Sequence, residues 1–183
     1  MRLFTGLDLP RDVAANLEEL LRRLKPTAKV NWSPPANLHV TTKFIGEWPE
    51  GRLGELKAAL AGIPRGGVIP VRIRQVGFYP NGRAARNFWA GIEAPGLPEL
   101  AAATDKATAA LGIDSEKRAF SPHLTLARIK PPAELGALHQ AIGGLASRDF
   151  GEFAAASFFL YLSSLRPTGS VYTKLAEFPL TKS

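Results

Sequence analysis

The sequence predicts an α+β fold of two pseudo-symmetric lobes, each a mostly antiparallel sheet with helices packed outside, enclosing a central cleft. Three observations predict it. A strand-like segment ending in acid-x-Pro opens the chain as Leu3-Phe4-Thr5-Gly6-Leu7-Asp8-Leu9-Pro10. It returns as Phe88-Trp89-Ala90-Gly91-Ile92-Glu93-Ala94-Pro95, and a third time as Lys174-Leu175-Ala176-Glu177-Phe178-Pro179. A His-x-Thr motif occurs twice, at His39-Val40-Thr41 and His123-Leu124-Thr125, with the histidines 84 residues apart. Helical and strand periodicities then alternate in the same order in each half.

The elements follow in that order. After the first acid-x-Pro, Val13, Leu17, Leu20, Leu21 and Leu24 fall on one helical face. After the second, an alanine-rich stretch places Leu100, Ala103, Ala107 and Leu111 on one face. Each half then has its His-x-Thr strand. A second helix follows, with Leu53, Leu56 and Leu60 in the first half and Leu135, Leu138, Ile142 and Leu145 in the second. Long strand runs come next, Val68 to Phe78 and Phe153 to Leu165. They end in the turn signals Pro80-Asn81-Gly82 and Pro167-Thr168-Gly169. Each half reads strand, helix, strand, helix, strand, strand. No linker-like composition separates the halves, about 1–87 and 88–183, so residues 1–183 are expected to form one domain.

Composition narrows the chemistry. The chain has 183 residues and no cysteine, which removes thiol nucleophiles, disulfides and thiolate metal sites together. Three histidines are few for a histidine-rich metal site. A formal net charge of +7 favours anionic partners, nucleic acid first. The N-terminal run meets Asp8 too early for a signal peptide. The charge-free run Phe153 to Leu165 is too short for a bilayer and reads as one buried strand. A soluble, cytoplasmic monomer without a membrane partner is expected.

Along a strand, residues i and i+2 share a face, so His39 and Thr41 point one way, as do His123 and Thr125. Two imidazoles and two hydroxyls would then line one cleft. One neutral imidazole can take a proton from water while one imidazolium gives a proton to a departing oxygen. Threonine hydroxyls can donate to non-bridging phosphate oxygens. A strained cyclic phosphate with an internal leaving group suits that apparatus, and no metal or other cofactor is expected. A zinc hydrolase would want three ligands, and neither motif has an acid at ligand spacing. His139 has no matching Thr and sits in a helical pattern, as a surface or packing residue.

The motifs Asn37-Leu38-His39-Val40-Thr41-Thr42-Lys43-Phe44-Ile45-Gly46 and Ser121-Pro122-His123-Leu124-Thr125-Leu126-Ala127-Arg128 resemble the paired motifs of the 2H phosphoesterase superfamily. The opening Arg2-Leu3-Phe4 with Asp8-x-Pro10, Leu160-Tyr161-x-Ser163 and Gly169-x-x-Tyr172 are similar to the RNA 2′,3′-cyclic phosphodiesterases, also called 2′-5′ RNA ligases. The resemblance implies opening of an RNA terminal 2′,3′-cyclic phosphate to a 2′-phosphate, with 2′-5′ joining as the reverse reaction. It also implies His39 as proton donor, His123 as the base toward water, and RNA ends as partners. Two alternatives stand beside it: a non-catalytic module that binds RNA ends, and the same chemistry on a small cyclic nucleotide.

Thr42 stands where the family usually has an apolar residue, and alternation turns it away from the cleft. Arg128 occupies a position where relatives carry a phosphate-binding arginine. Strict alternation from His123 puts it on the opposite face. Either the strand bulges or ends near Ala127, or Arg128 reaches around the edge. Arg72 and Arg74 are candidates for tracking an RNA backbone, with a solvated basic face as the equal alternative. Phe4, Phe78, Trp89 and Tyr172 are candidates for stacking on a base.

Overall fold

A computed structural model describes residues 1–182. Nine strands and four α-helices are described in it. In chain order these are β1 (Arg2–Leu7), α1 (Arg11–Leu24), β2 (Asn31–Trp32), β3 (Val40–Glu47), α2 (Leu53–Ala61), β4 (Ile69–Tyr79) and β5 (Asn87–Glu93). They continue with α3 (Leu97–Ala109), β6 (His123–Arg128), α4 (Gly136–Gly143), β7 (Asp149–Ala155), β8 (Ser157–Arg166) and β9 (Gly169–Pro179). The strands form two antiparallel sheets, one ordered β3-β1-β8-β9 and the other β2-β6-β5-β4-β7.

Each sheet draws strands from both sequence halves. β8 and β9 lie beside β1, and β4 lies between β5 and β7. The helices cross over too: α1 packs against β7 of the second sheet, and α3 against β3 of the first. Neither half could bury its own apolar faces alone, so the two lobes close around a shared core. Leu17, Leu21, Leu24, Leu56, Ile73, Phe88, Leu97 and Leu126 are among its fully buried side chains.

α1 buries the five residues its periodicity selects. α3 differs from expectation. Its buried face is Leu97, Leu100, Ala101, Thr104 and Thr108, not the stripe through Ala103 and Ala107. The two threonines are tolerated inside because each hydroxyl donates to a carbonyl one turn back, Leu100 O at 2.8 Å and Thr104 O at 2.9 Å.

The run Phe153 to Leu165 is not one strand. The chain breaks at Ala156 and passes from β7 in one sheet to β8 in the other, and Leu180 N–H donates to the Ala156 carbonyl at 2.8 Å. Period-two alternation cannot reveal which sheet a strand joins. The corresponding run in the first half stays continuous as β4, but it is offset between Ile73 and Val76, where Gln75 adopts a φ of 65°. Among the described residues, no helix is long and apolar enough to cross a membrane.

Candidate active site

β3 is an edge strand of the first sheet and β6 lies near the edge of the second, and the two approach one another where the sheets meet. This junction brings the two His-x-Thr motifs to one cleft. His39 sits just before β3 in extended chain, and His123 opens β6.

Each imidazole is held from behind by its own strand. His39 Nδ1 is 2.6 Å from the Asn37 carbonyl oxygen, and His123 Nδ1 is 3.0 Å from the Ser121 carbonyl oxygen. A carbonyl can only accept, so Nδ1 carries a hydrogen in both rings and Nε2 is the working nitrogen. His39 Nε2 is 2.7 Å from Thr41 Oγ1, the hydroxyl two residues on. With neutral imidazole, that hydroxyl donates to Nε2.

The surroundings of the two rings differ. His123 is exposed. His39 is packed among aromatics, 4.7 Å from Phe4 and 5.2 Å, edge-on, from Tyr172 by ring centroids. Burial pulls its imidazole below the ordinary histidine range, opposed by the Asn37 hydrogen bond and by the negative charge of Asp8. Asp8 is itself ion-paired with Lys174. Gly6 on β1 allows the close approach of the motif: a Cβ there would lie 2.6 Å from the Val40 carbonyl oxygen and 3.5 Å from the His39 ring.

Both motif strands carry a bulge at the same place. In the pairing of β1 with β3, Gly6 faces Thr41 and Thr5 faces Lys43, leaving Thr42 as the extra residue. In the pairing of β5 with β6, Trp89 faces Thr125 and Phe88 faces Ala127, leaving Leu126 extra. Thr42 and Lys43 are consequently both buried, as are Leu126 and Ala127. Alternation resumes one residue late, so Arg128 returns to the exposed face that carries His123 and Thr125. The conflict between Arg128 and strand parity is thereby removed. The sequence sign of this bulge is the consecutive pair Leu126-Ala127.

Thr42 does turn from the cleft, and its hydroxyl is 2.7 Å from that of Thr5 in the core. Lys43 is a buried cation that sequence reasoning missed. Its Nζ is 2.7 Å from Asp105 Oδ1 on α3, 2.6 Å from the Asp114 carbonyl oxygen and 3.6 Å from Glu116 Oε1. It ties β3 to the segment that leads into His123. Tyr161 was also missed as a site neighbour. Its ring stacks on Phe4 at 4.9 Å, it is 5% exposed, and its hydroxyl has no hydrogen-bond partner among the described residues.

Other candidates separate out. His139 lies on α4 against Phe78, with Nε2 3.3 Å from the Gly82 carbonyl oxygen, as a packing residue. Arg72 is paired with Asp149 and Arg74 with Glu93, so both guanidiniums already have carboxylate partners. Trp89 lies half-buried on the cleft face, its ring across Gly77, where a Cβ would come within 2.2 Å of it. Among the described residues, no three His, Cys, Asp or Glu side chains gather as a metal ligand set.

The family model of the LigT-like phosphoesterases matches the chain twice, over residues 7–89 and 92–172, one copy in each half. A protein of Methanocaldococcus jannaschii named RNA 2′,3′-cyclic phosphodiesterase is 31% identical over 97% of this chain and 99% of its own. One of the same name from Thermus thermophilus is 34% identical over 98% of this chain and 90% of its own. Among solved structures, one from Thermus thermophilus superposes with a TM-score of 0.81 at 33% identity, covering 98% of each chain. Escherichia coli LigT complexed with 3′-AMP gives a TM-score of 0.78 at 26% identity, covering 99% of this chain and 98% of that one. With this fold, this duplicated motif and these relatives, the chain belongs to the LigT-like phosphoesterase family.

Proposed function

We propose that this protein opens the 2′,3′-cyclic phosphate at the end of an RNA strand, leaving a 2′-phosphate, by acid–base catalysis from His39 and His123. The observation that carries the reading is the repeated lock on the two imidazoles: each Nδ1–H is committed to a carbonyl two residues upstream, which turns each Nε2 toward the cleft. The names of the relatives and the binding of 3′-AMP by Escherichia coli LigT support the substrate class.

In the proposed reaction, His123 Nε2 takes a proton from water as its oxygen attacks phosphorus. The bond from phosphorus to the 3′ oxygen breaks, and His39 gives that oxygen its proton. Each step moves one proton, and the pair returns to its starting state by exchanging protons with solvent. Thr41, Thr125 and Arg128 hold the non-bridging oxygens. For this Thr41 turns its hydroxyl from His39 Nε2 to the phosphate, freeing that nitrogen once the ring is protonated. With the 5′ hydroxyl of a second strand in the place of water, the same proton transfers would join two ends through a 2′-5′ linkage.

The whole chain, 1–183, acts as one domain in this reading, because both lobes draw on both halves. The partner is an RNA end, and the basic balance of the chain favours it. The test is incubation of a short RNA ending in a 2′,3′-cyclic phosphate, with EDTA present, followed by identification of the product isomer. Formation of the 2′-phosphate is expected. A 3′-phosphate product, or activity that needs an added divalent metal, overturns the mechanism.

A further inference from the structure

The two bulges bring one more pair of residues into the cleft. Arg128 is three residues beyond Thr125, past the extra residue Leu126. Phe44 is three residues beyond Thr41, past the extra residue Thr42. The duplication thus places an aromatic ring in the first lobe where the second has a guanidinium. Like Arg128, Phe44 is turned outward, with 61% of its surface exposed, between the buried neighbours Lys43 and Ile45. It cannot rotate inward without unseating the buried Lys43 from its ion pair.

Phe44 also ends a continuous aromatic floor. Its ring is 6.4 Å from Phe4, and Phe4 is 4.7 Å from His39 and 4.9 Å, edge-on, from Tyr172. The floor runs from the imidazole outward along β3 for about 10 Å, three residues of extended chain. Beside Phe44 a cavity of about 480 Å³ opens between β3 and residues 111–116, the stretch that precedes His123.

We infer that Phe44 is the stacking platform for the nucleobase of the terminal nucleotide. This rests on the function proposed above and adds to it the polarity of the bound substrate. The flat ring offers a π-face that any base can use, so the platform selects for the presence of a base and not for its identity. The duplicated cleft is symmetric at its histidines and threonines but not at this position. A nucleotide therefore has one way to lie in it, with its base on the lobe of β3.

The experiment is equilibrium binding of adenosine 2′-phosphate and of methyl riboside 2-phosphate, which keeps sugar and phosphate but has no base. Wild type is expected to prefer the nucleotide. Phe44→Ala should reduce that preference, the ratio of the two dissociation constants, by roughly 5- to 150-fold, the range for losing one base–aromatic stack. Phe44→Trp should keep the preference. An unchanged ratio in Phe44→Ala, or a Phe44→Trp ratio as low as that of Phe44→Ala, overturns the inference. The assay reads binding without turnover. A wild-type protein that prefers the nucleotide yet fails to open a cyclic phosphate would overturn the proposed function and leave the platform standing.

Discussion

His39 Nδ1 lies 2.6 Å from the carbonyl oxygen of Asn37, two residues upstream on its own chain. The ring is thus aimed by its own strand, before any partner side chain is considered. The same relation recurs between His123 and Ser121 at 3.0 Å. A duplicated backbone geometry orients both imidazoles, which explains why the motif needs so few supporting residues.

Removing either ring should therefore remove one proton transfer and little else. His39→Ala and His123→Ala are each expected to lower kcat by roughly 10²–10⁴-fold, the range for a positioned acid or base. His139→Ala should keep wild-type turnover. Steady-state kinetics on the cyclic-phosphate RNA checks this, and a loss for His139→Ala as deep as for the other two would break the two-motif assignment.

The phosphate contacts are separable from the acid and base. Thr41→Val and Thr125→Val keep the shape and remove a hydroxyl, and each should cost kcat about 10²-fold. Arg128→Lys keeps the charge and loses the planar fork, so it should only partly support activity. If Arg128→Lys and Arg128→Ala both turn over like wild type, Arg128 is a solvated residue on the cleft face.

Burial depresses the pKa of His39 in the free protein, and a bound anionic phosphate favours the charged ring. If His39 must be protonated, activity falls as pH rises through its pKa. That falling limb should lie at lower pH in kcat/KM, which reports the free protein, than in kcat, which reports the complex. The two limbs belong to the coupled pair of histidines. Profiles of both parameters across neutrality check the order, and coincident or reversed limbs would contradict it.

Lys43 and Asp105 hold the segment before His123 onto β3. The hydrogen bond from Lys43 is the main cause that keeps the Asp105 carboxyl below the usual carboxylate range. A pKa lowered by folding contributes stability above the ordinary value near ~4, lost as pH falls through the lowered one. Asp105→Asn leaves the buried ammonium short of a partner and should cost up to about 3–5 kcal/mol at neutral pH, moderated by Glu116. It should also flatten the acid limb of stability. Denaturant unfolding at pH 7 and at pH 3 reads both effects, and an unchanged midpoint at pH 7 would show that the pair contributes nothing net.

The sequence by itself determined the duplication, the α+β class and the two His-x-Thr pairs, because each is written in local spacing. The i, i+2 rule was enough to put His39 with Thr41 and His123 with Thr125. The five-residue stripe of α1 was legible for the same reason. Tertiary structure alone decided the rest. Which sheet a strand joins is set by long-range pairing, so the passage from β7 to β8 at Ala156 was hidden in one apolar run. A bulge depends on the partner strand skipping a residue, so the face of Arg128 and the exposure of Phe44 could not be read from β6 and β3 alone. The burial of Lys43 depended on Asp105 and Glu116, more than sixty residues away in the chain, whose carboxylates compensate a cation that alternation would have left in solvent.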